Sequence, residues 1–69
     1  MTDHMCYVAV DPEQPGAAYA ICVDDPDYPK DTANFVAREI RKGANVLRVD
    51  RSTGVGMIDK WVRKQKDLL

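Results

Sequence analysis

Histidine is almost missing from this chain: His4 is the only one in 69 residues. Without an imidazole there is no Ser/His/Asp or Cys/His set, and acid–base work would fall to paired carboxylates in a cleft. Cysteine is nearly as scarce. Cys6 and Cys22 stand outside any CxxC spacing and fall short of the ligands a structural zinc needs, so no metal is expected. They could bridge only if residue 6 faced residue 22 across a hairpin, and we expect two reduced, mostly buried thiols. No apolar run reaches the length of a membrane span, about 18 residues. The opening MTDHM lacks the basic-then-apolar order of a signal peptide, so the default location is cytoplasmic. The glycines of RSTGVG lack the lysine and hydroxyl of a phosphate loop, since Met57 and Ile58 follow Gly56 instead. A turn or N-cap at Ser52 or Thr53 is the expectation there, and no cofactor is implied.

Positive charge is what the first half lacks. Residues 1–31 hold Asp3, Asp11, Glu13, Asp24, Asp25, Asp27 and Asp31 against Lys30 alone. Residues 32–69 reverse the balance, with nine lysines and arginines against Glu39, Asp50, Asp59 and Asp67. A net charge of -1 therefore conceals a dipolar chain, which bears on steering and partner choice rather than on fold. At 69 residues, 45% hydrophobic and 30% charged, this is one globular domain. A domain of that size buries only about 60% of its unfolded surface and leaves little room for a deep cleft. We expect no enzyme.

The present features organise around DTANFVAREIRKG, residues 31–43. Ala33, Val36, Ala37 and Ile40 recur at helical spacing and predict the buried face. Asp31 or Thr32 is placed to cap the start, Arg41 and Lys42 suit the end, and Gly43 can close it. Phe35 points away from that stripe and is a candidate exposed aromatic, the alternative being that it packs under the loop at Tyr28.

Upstream, MCYVAV (5–10) and AAYAICV (17–23) read as strands joined by the turn DPEQPG. If residue 6 pairs with 22, both faces of this hairpin are apolar and both need cover. DDPDYPKD (24–31), with Pro26 and Pro29, reads as a stiff surface loop carrying Asp24, Asp25, Asp27 and Asp31. It lacks the glycine of a calcium loop. After Gly43, ANVLRVD predicts a third strand, with Leu47 and Val49 on one face and Val46, Arg48 and Asp50 on the other. From Met57 the positions Ile58, Trp61, Val62 and Gln65, with Leu68 and Leu69 beyond, predict a second helix whose wet face holds Asp59, Lys60, Arg63, Lys64 and Lys66. The whole is an α+β fold of order ββαβα. A right-handed crossover puts the strands in order 2-1-3, all antiparallel. The first helix covers one face. The second either joins it, leaving a bare face that predicts a dimer, or crosses to the other side.

Such a chain acts by contact. Its small size, sheet with two helices and acidic cluster Asp24, Asp25, Asp27 and Asp31 resemble the bacteriophage anti-CRISPR inhibitors. That resemblance implies a phage protein in the bacterial cytoplasm that mimics DNA and blocks target recognition. Its carboxylates, with Phe35, would occupy a basic DNA-binding subunit of a CRISPR effector. The hairpin YVAVDPEQPGAAYAICVDDPDYP, residues 7–29, is also similar to that of HicB-type antitoxins, which implies a small toxin as partner. After residue 29 the sequence departs from that pattern. A third reading is a nucleic-acid module using Arg63, Lys64 and Lys66, which no aromatic ladder supports. The working unit is a monomer or a homodimer.

Overall fold

The computed structural model describes residues 4–68, so Leu69 of the expected last-helix stripe lies outside the described residues. Strands β1 (Met5–Val10) and β2 (Ala20–Val23) are followed by helix α1 (Pro29–Arg41), strand β3 (Asn45–Asp50) and helix α2 (Arg51–Leu68). The strands form one antiparallel sheet in the order β2-β1-β3. This is the expected α+β arrangement. The helices take opposite faces, so the bare face that would have called for a dimer is covered.

The hairpin register differs from expectation by one residue. Cys6 lies opposite Val23 and Tyr7 opposite Cys22, which puts the thiols on opposite faces, both free, with Cys6 buried. The cause lies at the turn end of β2. Ala9 pairs with Ala20, yet its carbonyl also accepts the Tyr19 N–H at 3.0 Å, so two residues oppose one as in a β-bulge. Before the bulge Val10 and Ala18 share a core face, as expected; beyond it the register is shifted. The bulge also turns Tyr19 toward α1.

Helix α1 ends as its sequence predicts. Gly43, at φ 90°, donates its N–H to Ile40 and Ala44 donates to Glu39, closing the helix through a left-handed residue that glycine adopts without strain. Its start and its buried face are corrections. Pro29 opens the first turn and no side chain caps it; Thr32 instead donates from Oγ1 to the Val23 carbonyl at 3.4 Å. The buried residues are Thr32, Phe35 and Glu39, while Ala33, Ala37 and Ile40 are exposed. Ala9 and Ala20 pair on the sheet, and Ala20 lines with Phe35 the cleft between β2 and α1, where the larger apolar side chain of the helix is the one buried.

Helix α2 starts six residues earlier than the Met57 expectation, directly from β3. Asp50 makes that possible. Its carboxylate accepts from Ser52 Oγ at 2.6 Å, Thr53 Oγ1 at 2.5 Å and the Thr53 N–H at 3.4 Å, so Asp50 caps the helix in place of Ser52 or Thr53. Gly54 then lies buried against the sheet, where a Cβ would stand 3.0 Å from Ile21 Cδ1, 3.4 Å from Val8 Cγ1 and 3.5 Å from Val49 Cγ2. Glycine serves here for closeness of approach. Gly54, Met57, Ile58, Trp61 and Gln65 form the sheet-facing stripe, and Met57, Ile58 and Val49 pack on the core of Val8, Val10 and Ala18.

Two glycines in one helix give a clean contrast. Gly56→Ala meets nothing within 4 Å and should stabilise the chain by about 1 kcal/mol through helix propensity. Gly54→Ala gains the same propensity but crowds Ile21, and should fall within about 1 kcal/mol of wild type. Gly54→Leu must lift α2 off the sheet and should cost about 3 kcal/mol. Urea melts of the three variants check the ranking.

Candidate protein-binding surface

The segment between β2 and α1 is held by its own polar groups. Asp25 accepts the Asp27 N–H on Oδ1 at 2.9 Å, and its carbonyl accepts the Tyr28 N–H at 3.0 Å. Pro26 stands second in this turn with its φ preset, and Pro29 sets the first residue of α1. The Tyr28 carbonyl then receives the Asp31 and Thr32 N–H groups. Apart from Lys30, each residue from 24 to 32 is thus tied to a neighbour or restricted by proline, and the carboxylates ride on a stiff base.

Those carboxylates are not equivalent. Asp24 is half-buried and its Oδ2 accepts from Arg48 Nε at 3.1 Å, across Tyr7 on the α1 face of the sheet. Asp25 is half-buried and committed to the turn. Asp27 and Asp31 are exposed, and among the described residues neither is in an ion pair, nor is Asp25. Tyr28 stands between them, 62% exposed. The uncompensated charge is therefore Asp25, Asp27 and Asp31. Among the described residues no group of acids, cysteines or histidine is placed to hold a metal ion.

Phe35, expected as a possible exposed contact, is 7% exposed and lies under α1 with the Arg38 guanidinium 5.8 Å from its ring centre. It supports the surface from beneath and does not reach a partner.

Behind the same helix lies a polar cluster that the sequence reading missed. Glu39 is 1% exposed and accepts from the Tyr19 hydroxyl, from Arg38 Nε at 3.3 Å and from Lys42 Nζ at 3.4 Å. Its signal was the i, i+4 spacing of Phe35 and Glu39: once the ring is buried, the carboxylate must face the sheet as well. The Tyr19 bond is the chief reason that the Glu39 carboxyl sits below its usual range, with the two cations adding to it against burial. The same bond, with burial second, pushes the Tyr19 phenol up to about 12.

These shifts fix the direction of pH dependence. A depressed Glu39 contributes stability above pH 4.5 that is lost as pH falls through its folded value. Asp50, lowered by the Ser52 and Thr53 hydroxyls, adds to the same acid limb below pH 3.8. A raised Tyr19 contributes stability below pH 10 that is lost between pH 10 and about 12. Thermal melts should show a plateau between those limbs, and Tyr19→Phe should remove much of the alkaline one.

On the flank of α1 opposite the one that meets β2, Tyr7, Ala33, Val36, Ala37 and Ile40 line an open apolar groove of about 520 Å³, with Asp24 also lining it. Ile40 is 57% exposed there. The acidic turn and this groove are neighbours along one helix. No protein-family model, curated protein or solved structure matches the chain.

Proposed function

We propose that this chain is a small, non-enzymatic inhibitor that binds a basic, DNA-contacting surface of a CRISPR effector complex and blocks target recognition. The observation that carries the reading is the turn before α1 and the helix's first turn, where Asp25, Asp27 and Asp31 stand without cationic partners among the described residues on a backbone stiffened by Pro26 and Pro29. Lysines and arginines that hold DNA phosphate would find carboxylates already fixed in place, with little ordering entropy left to lose. Tyr28 adds an exposed aromatic ring to the same contact. Arg38, Arg41 and Lys42 lie at the far end of α1, and Lys60, Arg63, Lys64 and Lys66 are exposed along α2.

The test is a binding titration of the immobilised chain against purified CRISPR effector complexes, with and without preloaded target DNA. The reading requires an effector that binds the free chain, binds less when DNA is loaded, and weakens as salt rises. Capture of a small toxin instead would assign the chain to the HicB-like alternative. Salt-dependent binding of DNA or RNA alone would move function to the α2 face.

A further inference from the structure

From the two free edges of the sheet we infer a self-complementary dimer surface, in which β3 of one copy pairs antiparallel with β3 of a second, about a two-fold axis at Leu47. The edges are treated differently. At β2 only four residues are available, the bulge at Tyr19 and Ala20 disturbs one end, and the Val23 carbonyl is taken by Asp25 and Thr32. That edge is blunted in the way edge strands usually are. β3 is six residues, NVLRVD, without proline, lysine or bulge.

Backbone direction fixes which groups β3 offers. Asp24 donates to Met5 and Tyr19 to Ala9, so the odd residues of β1 bond toward β2 and the even ones toward β3. Alternation then leaves the N–H and C=O of Val46 and Arg48 pointing off the sheet. Three registers would engage them in a continuous sheet; one, Val46 against Val46, pairs only residues 45–47 of the strand and is the shortest. Another sets Arg48 against Arg48 of the second copy, which like charge disfavours. The third pairs Val46 with Arg48 in both directions and places Leu47 directly against Leu47 of the second copy. Leu47 is 45% exposed on the α2 side and gains cover in that register.

Charge favours a second copy as the occupant. The flank of α1 opposite the one that meets β2 is the apolar groove of Ala33, Val36, Ala37 and Ile40, lined also by Tyr7, which pairs with Arg48 of β3. Asp24, Asp25 and Asp27 precede that helix, with Lys30 in its first turn and Arg48 bonded to Asp24 as the nearby cations, and Arg41 and Lys42 end it. A two-fold axis beside β3 runs the two helices antiparallel, so the acidic end of each lies toward the basic end of the other. Strand pairing alone covers too little, because a standard interface takes about 800 Å² per partner. The apolar flank of α1 lies on the same side of the molecule and adds to it.

Sedimentation velocity of the full chain over a range of concentrations tests this. A mass rising toward twice 7.8 kDa is expected. Leu47→Lys should weaken association by about tenfold or more by setting like charges face to face while leaving the far-ultraviolet spectrum unchanged. A second variant guards against loss of fold: Leu47→Cys should form a disulfide between copies under mild oxidant, since residues opposite in such a pair lie about 4.5 Å apart. Val62→Cys, exposed on α2, should not. A wild-type chain that stays at 7.8 kDa throughout, or a dimer indifferent to Leu47→Lys and uncrosslinked through Cys at 47, overturns the proposal.

Discussion

Phe35→Ala should remove about half of the chain's stability or more. The ring is 7% exposed and lines, with Tyr19, Ala20 and Cys22, the cleft between β2 and α1. Removing a buried phenyl ring costs about 3–5 kcal/mol, transfer and cavity terms together. A chain of this length has about 3–10 kcal/mol in total. The urea midpoint, followed by circular dichroism, should fall steeply. Phe35→Leu keeps most of the volume and should remain folded. A melt of Phe35→Ala indistinguishable from wild type would mean that the ring is not in the core, and would restore it as a surface contact.

Glu39→Ala is the second large loss expected. The substitution strands the Tyr19 hydroxyl and leaves Arg38 and Lys42 without their shared carboxylate. Breaking a buried, charged hydrogen-bond cluster from one side costs about 2–4 kcal/mol. The two cations are more than half exposed, so water compensates them, and the larger share falls on the tyrosine. Glu39→Gln retains an acceptor for Tyr19 and should lose roughly half as much. Tyr19→Phe in the Glu39→Ala background should cost almost nothing further, because the two groups act as one unit. If the losses simply add, the hydroxyl and carboxylate do not depend on each other and the cluster is not what joins β2 to α1.

The contrast between these two residues and the stripe beside them shows what the sequence could carry. Helix α1 was legible from spacing and from Gly43, and strand order from the crossover rule. Its buried face was not. Counting Ala33, Val36, Ala37 and Ile40 as a hydrophobic stripe weighs two alanines equally with a phenyl ring, whereas buried area follows size. The apolar count predicted one side and the larger residue chose another, taking Glu39 with it. The hairpin register failed for a local reason: nothing at Tyr19 or Ala20 marks a bulge, since neither is glycine. The start of α2 was hidden because Asp50 serves both as the last strand residue and as the cap, and because Gly54 looked like a break. In the structure Gly54 lets helix and sheet approach so closely that a Cβ there would stand 3.0 Å from Ile21 Cδ1. The acidic segment was legible as four aspartates around two prolines. That Asp24 is answered by Arg48 depends on a contact across the sheet, which no local pattern reveals.

That difference sharpens the test of the proposed function. The variant Asp25→Asn, Asp27→Asn, Asp31→Asn removes the charges that lack a partner and keeps the Asp24–Arg48 pair, and its amide side chain at 25 can still accept the turn hydrogen bond. Helix content and melting temperature should change little. The measurement is inhibition of target-DNA binding by a purified CRISPR effector that the wild-type chain blocks, titrated with wild type and with the triple variant in parallel. The acidic-surface account predicts that the variant needs at least about a hundredfold more protein for the same inhibition, a charge-assisted contact being worth about 1.5–3 kcal/mol each. Equal inhibition by a folded triple variant would contradict it and leave the segment as solvated surface.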